Sequence, residues 1–165
     1  MSKTEENLKV AFSNESQANQ KYRAFSKKAR KDGFPNIAKL FKLSSETERI
    51  HAQSNLSALK GIGSTLENIK AAIARESNEN KTMYPSMLKQ AESENHKAKY
   101  RFEYNIKSKE AHAQLYFSAL AAIERGEDLT ISELYLCPFC GNILPEEPDM
   151  KCTICGTPAG KFIKV

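Results

Sequence analysis

The feature that most constrains this chain is an internal repeat with a spacing of 61 residues. Shifted by that interval, Glu15-Ser16 falls on Glu76-Ser77, His51-Ala52-Gln53 on His112-Ala113-Gln114, and Ser57-Ala58-Leu59 on Ser118-Ala119-Leu120. Each copy has room for two helices joined by a short turn, so two copies make an up-down bundle of four. Pseudo-twofold symmetry would then bring Glu15, His51, Glu76 and His112 together at the bundle centre.

Hydrophobic spacing agrees with helices. Leu8, Phe12, Phe25 and Ala29, then Ile37, Leu40, Phe41 and Leu43, recur at helical intervals with a polar outer face. Asp32-Gly33-Phe34-Pro35 separates the first two helices, because Gly supplies a left-handed stop and Pro suits a first helical turn. Gly61-Ile62-Gly63 is expected to end the second helix, and Ser64-Thr65-Leu66-Glu67 reads as a capping box that opens the third. That third helix is expected from about Thr65 to Ala91, kinked or locally widened by Pro85, which removes one backbone donor. A turn near Ser93–Asn95 leads into a fourth helix ending at Arg125, before Gly126. The expected fold class is all-α: a four-helix bundle over residues 1–131, a polar link at Glu127–Glu133, and a small metal-knuckle domain over 132–165.

Glu48 and His51 stand three residues apart and therefore share a helix face. Such a pair, combined with lone carboxylates from other helices, is what a dinuclear carboxylate centre takes from a bundle. Glu15 and Glu76 are the lone carboxylates, and Glu79 shares the face of Glu76. A single Glu or His on a helix is ordinarily solvated or structural, but recurrence in register across a repeat argues for metal binding or catalysis. His96 lies outside the repeat among charged residues and reads as surface.

The repeat fails at one position. The equivalent of Glu48 is Lys109. Glu110 is rotated by 100° from Lys109 and by 200° from His112, so only a local bulge could put its carboxylate in the vacated place. A protonated Lys cannot bridge two cations, and its charge takes over part of a metal ion's electrostatic role.

All four cysteines fall near the C-terminus, as Cys137-Pro138-Phe139-Cys140-Gly141 and, with eleven residues between Cys140 and Cys152, Cys152-Thr153-Ile154-Cys155-Gly156. Two C-x-x-C-G knuckles at this spacing signal a tetrathiolate site for iron or zinc. Disulfides are disfavoured because no secretion signal is legible. A segment of about 30 residues has too little core to fold unaided, so the metal should be its main stabiliser. Iron would exchange one electron and zinc would be redox-silent; the ligands alone leave that choice open.

The formal charge is +5, with cations densest at Lys21, Arg23, Lys27, Lys28, Arg30 and Lys31. This reads as a solvated helix face rather than a nucleic-acid patch. No apolar run is long enough to span a bilayer, so a cytoplasmic protein without membrane or nucleic-acid partners is expected.

These motifs resemble the rubrerythrin family over essentially the whole chain. The matching text is Glu15-Ser16-Gln17-Ala18 with Tyr22, Gly33-Phe34-Pro35-Asn36-Ile37-Ala38, Glu48-x-x-His51-Ala52, Glu76-x-x-Glu79, Met83-Tyr84-Pro85, His112-Ala113-x-Leu115-Tyr116 and the two cysteine knuckles. The resemblance implies a ferritin-like bundle with a C-terminal rubredoxin-like domain. It also implies a di-iron centre reducing hydrogen peroxide, electrons entering from a redox protein or reductase through a tetracysteinyl iron, and a homodimer in which that domain approaches the partner's bundle. Carried over, Glu15 and Glu76 would be terminal ligands, Glu48 a bridge, His51 and His112 the imidazoles, and Glu79 the carboxylate that trades places with His51. Tyr22 and Tyr84 would donate hydrogen bonds behind the ligands. The second bridge of the family is the position of Lys109. Two negative charges fewer than the family pattern should cost several kcal/mol of metal affinity, on the order expected for charges at bonding distance; by the family pattern the half formed by Glu15, Glu48, His51 and Glu79 is intact, so a single ion there is the milder outcome.

Three functions follow as competing expectations. The first is an iron oxidoreductase that reduces peroxide. The second is a divergent electron carrier or metal or oxidative-stress sensor, with a metal-poor or mononuclear bundle site in which Lys109 pairs with Glu48. The third, a zinc ribbon on a basic nucleic-acid-binding protein, leaves the repeated Glu and His unexplained.

Overall fold

The structure, a computed structural model, describes residues 2–165 and resolves into two compact units, Met1–Gly63 and Ser64–Val165. The first unit is a hairpin of α1 (Lys3–Lys31) and α2 (Pro35–Ala58). A reciprocal capping box between Ser2 and Glu5 opens α1, a start signal not read in the sequence. Gly33, at φ +85°, makes the turn, and Pro35 opens α2. Small buried residues, Ala29, Ala38, Ser45 and Ala52, let the helices pack closely. Two side-chain bonds stitch the seam: Asn19 Nδ2 donates to the Ser45 carbonyl at 2.6 Å and Ser26 Oγ to the Ala38 carbonyl at 2.7 Å. Beside the seam Tyr22, Phe25 and Phe41 form a ring cluster with centroids 5.5–6.2 Å apart.

α2 ends at Ala58, just ahead of Gly61-Ile62-Gly63, and the left-handed residue of the turn is Lys60, at φ 51°. A Cβ on Gly61 would meet Cδ1 of Leu56, the movable end of a half-buried side chain.

The second unit contains α3 (Thr65–Asn78), a π-helical turn over Glu79–Met83, α4 (Tyr84–Ser93) and α5 (Lys99–Glu124). The capping box of Ser64 and Glu67 is present. The break expected from Pro85 takes the form of the widened turn. The Tyr84 N–H bonds back five residues to the Glu79 carbonyl, which relieves the clash that a proline ring makes with a regular preceding turn. Both α3 and α4 pack along α5. Between α4 and α5 the chain turns at Asn95, at φ 49°, and the exposed His96 accepts a bond from the Ala98 N–H at 3.1 Å.

After Gly126 the chain reaches a three-stranded antiparallel sheet in the order β2-β1-β3, made of β1 (Tyr135–Leu136), β2 (Ile143–Leu144) and β3 (Ile163–Lys164). Its core is Cys137, Cys140 and Cys152, with Ile154, Cys155, Phe162 and Tyr104 of α5 packed against them.

Replacing Gly33 by Ala should cost about 1 kcal/mol in a chemical-denaturation midpoint, since a Cβ meets nothing within 4 Å and only the positive φ opposes it.

Candidate metal centres

Each cysteine knuckle is the same turn executed twice. The Cys137 N–H bonds to the Asn142 carbonyl at 2.8 Å and the Gly141 N–H returns to the Cys137 carbonyl at 3.0 Å; Cys152, Thr157 and Gly156 repeat the pair at 2.7 and 2.9 Å. Gly141 and Gly156 close these turns at φ +78° and +76°. The Sγ atoms of all four cysteines lie within 4.8 Å of one another, the nearest pairs at 3.6 Å. A tetrahedral ion with bonds of about 2.3 Å needs sulfurs about 3.8 Å apart, so the cluster fits tetrathiolate iron or zinc. Burial pushes the Cys137 thiol up, yet the N–H groups of Cys140 and Phe139 outweigh it and bring it down to about 6. Burial drives Cys140 and Cys152 upward. Four thiolates cannot share this space without a cation.

The second gathering of ligand atoms is on the α1–α2 hairpin. Glu15, Glu48 and His51 each offer one atom within 4.8 Å of the others, and His51 Nδ1 stands 3.3 Å from Glu48 Oε2. Hydrogen bonding to Glu48, then burial, hold the Glu15 carboxyl above its ordinary value. Two carboxyl groups pressed together beside an imidazole are a donor set suited to a divalent cation. Half of the His51 side chain is open to solvent.

The equivalent position in the second unit is built differently. Lys109 Nζ lies 3.1 Å from Glu76 Oε1 and 2.9 Å from Glu79 Oε2, and Arg75 Nε lies 2.8 Å from Glu79 Oε1. Glu76 and Glu79 are the buried charged residues of this unit, 9% and 8% exposed. Burial pushes Glu79 up, but Lys109 and Arg75 outweigh it and hold the carboxyl below its ordinary value. Burial likewise disfavours the Lys109 charge, and Glu79 and Glu76 outweigh it, so its pKa is raised.

Within the second unit Lys109 therefore pairs with Glu76 and Glu79, and both oxygens of Glu79 are engaged, one by Arg75 and one by Lys109. The bulge that could have exchanged Glu110 for Lys109 is absent: α5 is regular there and Glu110 is exposed.

His112 links the two parts of its unit. Its Nδ1 lies 3.2 Å from Glu76 Oε2 and its Nε2 lies 2.8 Å from the Gly141 carbonyl, in the first cysteine knuckle. A carbonyl only accepts, so Nε2 is the protonated nitrogen and Nδ1 faces the carboxylate side. The same knuckle is held at Phe139, whose ring lies 4.4 Å from the Arg101 guanidinium and 5.9 Å from the Tyr104 ring. Tyr22 belongs to the ring cluster of the first unit, and Tyr84 stacks near Phe102 at 6.1 Å.

The rubrerythrin family model matches residues 6–121. The chain belongs to the rubrerythrin family. It is 32% identical to Rubrerythrin-2 of Clostridium acetobutylicum, over 94% of this chain and 92% of that protein. It is 34% identical to a rubrerythrin of Porphyromonas gingivalis, over 98% and 89%, and 32% identical to nigerythrin of Nitratidesulfovibrio vulgaris, over 96% and 85%. The solved structure of fully reduced, all-ferrous nigerythrin is 29% identical, with a TM-score of 0.58, covering all of this chain and 88% of that one. The fold class is thus the family's: ferritin-like helices followed by a rubredoxin-like knuckle domain. Among the described residues of this family member, no helix is long and apolar enough to cross a membrane.

Arg75 escaped the sequence reading, although its position four residues before Glu79 was a usable signal. The carbonyl of Gly141 carried no signal, since a backbone acceptor is defined only by the fold.

The Lys109 pairs stabilise across a wide pH window. A depressed carboxylate contributes above its ordinary value of 4.5 and loses that contribution as pH falls through the folded value. A raised lysine contributes below 10.5 and loses it as pH rises through its folded value. In metal-free protein, Lys109→Met should therefore cost about 2 kcal/mol at neutral pH, since both carboxylates keep little solvent. Denaturation at acid pH should find the cost largely gone.

Proposed function

We propose that the chain is an iron oxidoreductase that reduces hydrogen peroxide, with one metal ion on the α1–α2 hairpin and one among the cysteines. The observation that carries this reading is the unequal build of the two halves. Glu15, Glu48 and His51 converge with no cationic side chain bonded to them, whereas Glu76 and Glu79 already hold Lys109. Glu15 and Glu48 would be the anionic ligands, His51 the neutral one, and Cys137, Cys140, Cys152 and Cys155 the tetrathiolate. Iron bound at these two places supplies one electron at each, which matches the two electrons and two protons needed to turn one peroxide into two waters.

The protein's own residues do the rest. Lys109 stands in for the second cation, pairing with Glu76 and Glu79 in a mostly buried setting. His112 Nε2–H donates to the Gly141 carbonyl while the same ring lies against the Glu76 carboxylate, which places the knuckle beside the carboxylate cluster. The half-open His51 leaves the hairpin site accessible to a molecule as small as peroxide. Tyr22 and Tyr84 would serve as proton donors near the carboxylates. An electron-donating redox protein or reductase, a homodimeric state and a cytoplasmic setting belong to the same reading.

A second reading is favoured by the Lys109 network itself: an electron carrier or metal or oxidative-stress sensor in which peroxide chemistry has been lost.

Metal analysis of anaerobically reconstituted protein should give two ions per chain, one removed by Cys140→Ser and one by Glu48→Ala. Red colour would mark iron at the thiolates, since zinc thiolates are colourless. Peroxide should then oxidise both irons in a single turnover; a protein that holds the iron but stays reduced supports the carrier reading. Lys109→Glu should raise the count to three, and an unchanged count would remove Lys109 from the account.

A further inference from the structure

The chain's positive charge resides in one unit. Met1–Gly63 has twelve Lys and Arg against six Asp and Glu, a net of +6, while Ser64–Val165 has thirteen against fourteen, a net of −1. Within the hairpin the charge is concentrated again. Arg23, Lys27, Arg30, Lys42 and Glu46, with Ser26 and Ser45, line a groove of about 360 Å³ between α1 and α2.

This groove is on the side away from the ligand group. The bond from Asn19 to Ser45 marks the seam. At 100° per residue, Arg23 turns about 40° to one side of Asn19 and Glu15 about 40° to the other. Around Ser45, Lys42 and Glu48 turn about 60° to opposite sides. Glu15 and Glu48 therefore share one side, and the cations the other.

Four features make the groove an anion site. Arg23, Lys27, Arg30 and Lys42 form no salt bridge among the described residues, whereas Lys28 beside them pairs with Asp32. Arg23 with Lys27 and Lys27 with Arg30 are helical neighbours of like charge, an arrangement that destabilises a helix unless an anion relieves it. The one carboxylate in the lining, Glu46, accepts from Arg49 Nε at 2.8 Å and is held below its ordinary value chiefly by Arg49, with smaller help from Arg23 and Lys42, so a single carboxylate offsets only part of the charge of four cations. Two guanidinium groups supply the planar forks that fit phosphate oxygens in pairs. The serines contribute shape only, because Ser26 Oγ donates to the Ala38 carbonyl and Ser45 Oγ to the Lys42 carbonyl, each at 2.7 Å.

Size selects the class of ligand. Arg23 to Arg30 spans roughly 10 Å of helix and the gap to α2 another 10 Å, so the cationic patch covers roughly 100–200 Å². A protein partner needs roughly 800 Å². A small, multiply charged anion fits where a protein face does not.

We propose that this groove binds a di- or triphosphate group, with Arg23 and Arg30 as its forked donors and Lys27 and Lys42 as supporting charges. The inference does not depend on the metal reading, and its measurement does not involve metal.

The test is calorimetric titration of the full-length protein with inorganic pyrophosphate, with inorganic phosphate in parallel. One saturable site per chain is expected, with pyrophosphate bound at least about tenfold more tightly than phosphate. The double variant R23Q/R30Q should lose about tenfold or more in affinity. K9Q/K21Q removes the same charge elsewhere on α1 and should change it less than about twofold. Unfolding midpoints by circular dichroism check that the variants are folded. Absence of a saturable site, or equal losses in the two double variants, would overturn the proposal. So would tight binding of poly-glutamate without a response to pyrophosphate, which would assign the groove to an acidic protein.

Discussion

The ion pairs of Lys109 govern how the second unit can work. A buried carboxylate pair is untenable without positive charge nearby, and most proteins of this design leave that charge to a metal. Here the cation is tethered to α5, 3.1 Å from Glu76 and 2.9 Å from Glu79, and Arg75 reinforces it. That pairing holds the Glu79 carboxyl below its ordinary value. A tethered charge also lacks what an ion has: open coordination positions and a second oxidation state.

The first unit makes the opposite choice. Glu15 and Glu48 stand together beside the His51 imidazole, and the hydrogen bond between the two carboxyl groups raises the Glu15 pKa. What stabilises the hairpin lies elsewhere, in the small-residue seam and the two side-chain bonds that cross it. Structural support and ligand presentation are thus assigned to different sides of the same helix pair, which is why a ligand site can remain electrostatically unsatisfied without unravelling the helices.

Much of this was legible in the sequence because it rests on periodicity and local chemistry. The 61-residue repeat located the carboxylates and imidazoles, the capping box at Ser64 and the stop at Gly33 placed helix ends, and C-x-x-C-G fixed the knuckles. The departures share a cause. Which carboxylate Lys109 would choose, and that Arg75 would compete for Glu79, depend on side-chain reach within a folded unit. So does the bond from His112 to Gly141, which joins residues 29 apart through a backbone atom that has no sequence signature. That Lys60 rather than a glycine takes the left-handed conformation in this turn likewise had no sequence signal.

The π-helical turn at Glu79–Met83 has a consequence for how the duplicated hairpins keep pace. From Glu15 to His51 and from Glu76 to His112 the chain runs the same 36 residues. The second path nevertheless spends one residue on a wide turn and has a longer connection between its helices, from Ser93 to Lys99 rather than Lys31 to Pro35. Its extra length must be recovered on α5, where His112 stands closer to its helix start than His51 does to the start of α2. The interval between ligands acts as a ruler of fixed length laid along two different routes. Insertions or deletions in either hairpin would be tolerated only in compensating pairs, a coupling that constrains how such a duplicated chain can drift.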